Sequence, residues 1–181
     1  MAEPWIEYPE LWPTKSSFFV FLRGCLRRGI WEKYPPKLMF KNESAYKPSE
    51  GYQGKAKRLG KCALTGEEVA ISKLEVDHLE GHVKFTDWSD IENFIRHLCA
   101  SKDNMQLVTK EAHKIKSYSE RMGISFEEAW IEKQAIQICK GDSKQWLIDK
   151  GVQPKSNAKL RRQQVVEVLN NEQGNKLTDT T

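Results

Sequence analysis

The chain has 181 residues, 39% hydrophobic and 30% charged, with a formal net charge of +4. That is long enough for one ordinary domain or a small core with appended arms, and no stretch approaches the roughly 20 apolar residues of a membrane span. The positive excess sits in the first third, where 11 Lys and Arg stand against 6 Asp and Glu up to residue 60; the counts are 9 against 11 from 61 to 122, and 9 against 8 beyond.

Ser16 to Arg28 places Phe18, Phe21, Leu22, Cys25 and Leu26 at helical spacing, with Arg23, Arg27 and Arg28 on other faces and Gly29 as a stop, so an amphipathic basic helix is expected. Residues 34 to 61 hold Pro35, Pro36, Pro48, Gly51, Gly54 and Gly60 among lysines and read as a long basic connector without a regular element. From Glu68, the alternation of Val69 and Ile71, then Leu74, Val76 and His78, suits a short hairpin or paired strands. Ser89-Asp-Ile-Glu92 has the form of a capping box and opens a helix whose stripe is Ile91, Phe94, Ile95 and Leu98. Met105 to Val108 fits a second strand, and Thr109 caps a helix that ends near Met122 at Gly123 with Ile115 and Tyr118 inward. Ser125-Phe-Glu-Glu128 repeats the box ahead of a helix to Lys140, and Ser143 to Lys150 reads as another, before Gly151. Lys155, Lys159, Arg161 and Arg162 then lead into Val165, Val166, Val168 and Leu169 and a frayed polar end; this arm suits nucleic acid, a partner helix or peripheral docking.

The opening Met1-Ala-Glu-Pro-Trp-Ile-Glu7 lacks the basic start of a signal peptide, which points to the cytoplasm. Cysteines at 25, 62, 99 and 139 form no CxxC pair, which argues against a secreted disulfide scaffold and a two-pair zinc ribbon.

The stretch that carries chemistry is Leu74-Glu-Val-Asp77-His78-Leu79, then Asp103-Asn104-Met-Gln-Leu-Val-Thr109, then His113-Lys-Ile-Lys116. Over roughly 60 residues, Cys62 to Met122, it resembles the HNH endonuclease family, and the basic amino-terminal region and the tail outside that stretch are suggestive of free-standing phage-encoded members. The resemblance implies a strand ending in a metal ligand, Asp77, and the base, His78. It implies an orienting asparagine, Asn104, at the next strand, and a second ligand, His113, nine residues later on the following helix. The resemblance implies a ββα-metal core, and with the chain's own helices the expected fold is α+β and predominantly helical, with helical extensions at both ends and a helical insertion between the core strands that departs from the family pattern. Its parts are a basic helix and connector at 1–60, the nuclease core at 61–122 and a helical extension at 123–181.

The residue types suit that chemistry on their own terms. An imidazole with a pKa of about 6.5 takes a proton from water at neutral pH, which His78 would do. A hard carboxylate oxygen on Asp77 and an imidazole nitrogen on His113 form a two-point anchor for Mg²⁺ or Mn²⁺ that leaves coordination positions open for water and phosphate. Adjacent strand residues face opposite ways, so Asp77 and His78 must lie at a strand end to serve one phosphate. Asn104, bonded across to the turn after His78, would hold it in register. Lys116, one helical turn past His113, and Lys114 are phosphate candidates. So are Arg23, Arg27, Arg28, Lys55, Lys57, Arg58, Lys159, Arg161 and Arg162.

No structural zinc is expected, because Cys62 is followed by Ala63-Leu64-Thr65 and Cys99 has no cysteine nearby; Cys62 and Cys99 then read as buried thiols, and a substitute site from Cys62, His82, His97 and Cys99 lacks zinc-like spacing. The inserted helix closes the small core instead. The expectation is a metal-dependent endonuclease acting on double-stranded DNA, nicking as a monomer, with no membrane association; a second copy or a phage packaging partner is left open. The alternatives are a catalytically inactive DNA-binding or phage-assembly accessory protein on the same fold, and a zinc-stabilised regulatory binder.

Overall fold

The computed structural model describes residues 3–81 and 83–178. The protein is α+β and mostly helical, with two small antiparallel sheets. It divides into two compact units, one ending at His113 and the other beginning at Lys114. Among the described residues no helix is long and apolar enough to cross a membrane.

The first unit opens with α1 (Pro4–Glu7) and α2 (Lys15–Gly29), the latter entered through a Thr14–Ser17 capping box. The inward face of α2 differs from expectation: Phe18 and Phe19 are buried and Phe21 is exposed. The reason is an aromatic cluster in which Trp5, Trp12 and Trp88 pack on Phe18, while Trp5, Phe85 and Trp88 pack on Phe19.

The expected connector at 34–61 is a correction. Trp31–Lys33 makes a 3₁₀ turn, and α3 (Pro35–Glu43) starts on the two prolines themselves. In a first helical turn the missing N–H costs nothing and the fixed φ is already helical, so Pro35 and Pro36 begin a helix. The end of the same stretch forms β1 (Leu59–Lys61), which pairs with β2 (Glu68–Ala70). Residues 68–78 therefore do not fold back on themselves: a 3₁₀ turn, Ile71–Lys73, separates β2 from β3 (Leu74–His78).

Strand β3 pairs antiparallel with β4 (Met105–Thr109), setting Glu75 opposite Val108, Asp77 opposite Gln106 and His78 opposite Met105. Between them lies α4 (Ile91–Leu98), the expected insertion with a different cap. Asp87 forms the box with Asp90 at a 3₁₀ turn, Trp88–Asp90, and the backbone and hydroxyl of Ser89 donate to Asp87. A carboxylate two residues upstream thus takes the role expected of Ser89. Phe94 and Leu98 are buried, with Phe94 stacked on Phe85 at 4.6 Å. Cys99, at the C-cap, is exposed rather than buried, whereas Cys62 is buried as expected.

Helix α5 (Lys110–Met122) follows β4 directly; Thr109 Oγ1 accepts from the Ala112 N–H at 3.2 Å, and Gly123 takes φ +65° at its end. In the second unit Ile115 and Tyr118 pack with Ala129 of α6 (Phe126–Lys140), which has the Ser125–Glu128 box. A second cluster joins Ile131 and Ala135 to Leu147 of α7 (Ser143–Asp149) and to Val165 and Leu169 of α8 (Ala158–Thr178). The end expected to fray is helical to Thr178, and residues 179–181 lie outside the described ones.

Candidate functional site

Strand β3 ends on Asp77-His78, and alternation along it sends the two side chains to different neighbours. Asp77 is buried beside the first turn of α5. Its Oδ1 lies 3.3 Å from His113 Nε2, and its Oδ2 accepts from the Gln106 amide at 3.2 Å. Glu75, two residues earlier on the same face, lies with its Oε2 3.1 Å from His113 Nδ1. The helical imidazole therefore sits between two carboxylates that the pleat aligns.

The spacing suits a cation. Two ligand atoms at right angles, each about 2.1 Å from an octahedral ion, are about 3.0 Å apart, close to the 3.3 Å between Asp77 Oδ1 and His113 Nε2. Mg²⁺ is commonly held by one or two protein ligands plus water and phosphate. Among the described residues no group of three or more His, Cys, Asp and Glu is arranged to hold a metal ion. Of the substitute zinc set, His82 lies outside the described residues, while His97 is stacked on another ring.

That ring is His78. It is sandwiched between Trp31, at 3.9 Å and 28°, and His97 of α4, at 4.0 Å and 26°, and is only 3% exposed. Burial first, then the His97 ring, push its pKa down to about 4, against the opposing influence of Asp77 and a hydrogen bond to the His97 backbone. At neutral pH the ring is uncharged.

Asn104 lies just before β4 and ties down the turn that follows His78: its carbonyl accepts from the Leu79 N–H at 3.1 Å and its Oδ1 from the Glu80 N–H at 3.0 Å. This is the cross-turn bond expected of it.

The basic candidates divide. Arg27, Arg28, Lys55, Lys57, Lys114 and Lys159 are exposed. Arg23 donates to the Phe85 carbonyl and lies over the Phe94 ring, Arg58 donates to Asn42, Arg161 to the carbonyls of Lys155 and Ser156, and Arg162 to Glu132. Lys116 pairs with Glu120 at 2.9 Å. Arg27 acts electrostatically on His78, and Lys37, whose ammonium lies 4.7 Å from the Trp31 ring centroid, is within electrostatic reach of Glu75.

Sequence reasoning missed Trp31, Glu75 and Gln106 and gave His97 no part at His78. Glu75 was within reach, because a residue two before a candidate ligand on a strand shares its face. So was Gln106, a polar residue inside the apolar run Met105 to Val108. Trp31 and His97 reach His78 only through tertiary packing. No family model, curated protein or solved structure matches the chain, so the resemblance to the HNH nucleases rests on the sequence motif alone.

Proposed function

We propose that the chain is a metal-dependent HNH endonuclease that hydrolyses DNA phosphodiester bonds and nicks one strand as a monomer. The observation that carries this reading is the approach of Asp77 Oδ1 and His113 Nε2 to 3.3 Å, one residue from a buried neutral histidine. The succession of strand, strand and helix in β3, β4 and α5 supports this reading, with α4 between the strands as a departure from the family pattern.

Asp77 and His113 would hold one Mg²⁺ or Mn²⁺, with Gln106 restraining the second oxygen of the carboxylate. When bound, the ion neutralises charge on the phosphoryl oxygens and stabilises the departing oxyanion. His78 accepts the proton of a water whose oxygen bonds to phosphorus as the bond to the departing sugar oxygen breaks. Asn104 fixes the turn behind His78 and with it the direction of the ring. Trp31 and His97 cover the two faces of that ring and set its plane, in which the accepting nitrogen lies. Exposed Arg27 and Arg28, at the end of α2, supply phosphate contacts.

The burial of His78 favours one other reading, an accessory DNA-binding protein that keeps the fold without the reaction. Supercoiled plasmid separates the two. The nuclease converts it to open circle with Mg²⁺ and not with chelator, and His78→Ala loses at least about 100-fold in rate while DNA affinity stays near wild type. Binding without relaxation at any divalent ion, or relaxation by His78→Ala near the wild-type rate, overturns the nuclease assignment.

A further inference from the structure

We propose that Glu75 is a positioning residue that sets the tautomer and direction of His113. Glu75 and Asp77 are two apart on β3, so both project toward the first turn of α5, where His113 lies between them. An ionised carboxylate only accepts hydrogen bonds. Both ring nitrogens face a carboxylate, and we assign the ring hydrogen to the shorter contact, the 3.1 Å from His113 Nδ1 to Glu75 Oε2, rather than to the 3.3 Å from Nε2 to Asp77 Oδ1. In a neutral ring the lone pair then resides on Nε2, which faces Asp77 Oδ1 at 3.3 Å. Two acceptors then face each other there, an arrangement that a cation would bridge.

Without Glu75, the ring loses the acceptor that holds its hydrogen on Nδ1. A hydrogen on Nε2 would instead point at Asp77, closing the gap with a hydrogen bond and removing the nitrogen as a ligand. Carboxylates that hold the outer nitrogen of a ligating histidine act in this way and typically contribute 10- to 100-fold, to order of magnitude, in metal affinity or activity. The Glu75 side chain is 40% exposed, so its contact with His113 contributes little to stability and its removal leaves the fold intact.

The consequence for metal rests on the nuclease reading, whereas the tautomer does not, and the full-length protein tests both. Long-range ¹H–¹⁵N correlation at pH 8 is expected to show His113 as the Nδ1–H tautomer in the wild type and in Glu75→Gln, whose amide oxygen still accepts. Glu75→Ala moves it toward Nε2–H. Mn²⁺ alone, titrated and followed by the EPR signal of the free ion, binds about 10- to 100-fold more weakly to Glu75→Ala and near wild type to Glu75→Gln. A Glu75→Ala chain with unchanged tautomer and Mn²⁺ affinity overturns the assignment, and so does a Glu75→Gln chain as impaired as Glu75→Ala, since charge and not the hydrogen bond would then be responsible. A wild-type chain that neither takes up Mn²⁺ nor relaxes plasmid defeats the nuclease reading instead, whichever tautomer is found.

Discussion

A histidine stacked on both faces and closed to water ionises late on the way down in pH. His78 in the folded chain takes its proton near pH 4, and an unfolded histidine does so near about 6.5. Between those values the unfolded chain binds a proton that the folded chain does not, so stability rises with pH across the window by up to about 3 kcal/mol and gains nothing from this group above it. Urea midpoints of metal-free protein at pH 4.5 and pH 7 should therefore differ more in the wild type than in His78→Gln; equal differences would mean an ordinary titration. The motif intervals made Asp77, Asn104 and His113 legible because each lies at the end or start of a local element, and those ends converge in the fold. The covering of His78 was not legible, since Trp31 and His97 stand 47 and 19 residues from it in the chain and no periodicity links them.

At the scale of elements, signals confined to one turn were readable and those that depend on a neighbour were not. The Ser125–Glu128 box and the Thr109 cap form as their spacing requires. The Ser89 box gives way to Asp87, which also pairs with Lys15 from α2, a partner that local sequence does not reveal. Helix α4 does the work expected of an inserted element. Phe94 is 3% exposed against Phe85, and Phe94→Ala should cost about 3–5 kcal/mol in chemical denaturation.

Cys62 is a second tie between elements, with its sulfur accepting from the Thr109 N–H at the junction of β4 and α5. Burial raises the pKa of this thiol, but hydrogen bonds from the Thr65 side chain and from the backbones of Thr109, Thr65 and Leu64 outweigh it and hold it below its ordinary value. Cys62→Ala leaves the Thr109 N–H without that acceptor and should cost about 1–3 kcal/mol in stability, measured by the same denaturation.

For the molecule as a whole, the uneven distribution of charge bears on the proposed DNA substrate more than the net value of +4. Arg27 and Arg28 are exposed beside an excess of lysines, whereas Arg161 and Arg162 are engaged within the second unit. DNA affinity should fall steeply with salt, and replacing both Arg27 and Arg28 by Gln should flatten the slope of log K against log salt by about 1.8, since each phosphate that an arginine neutralises adds about 0.9 to it. Arg162→Gln should leave that slope unchanged, because its guanidinium is committed to Glu132. An unchanged slope in the double variant would move the phosphate-binding surface elsewhere.

The sandwich around His78 also bears on transplantability. One slice of it, Trp31, is donated from upstream of both sheets, and the other, His97, from the helix between the strands. A minimal fragment spanning only Cys62 to Met122, grafted onto another scaffold, would carry the imidazole with one flank bare to solvent and its basicity reset toward that of a free side chain.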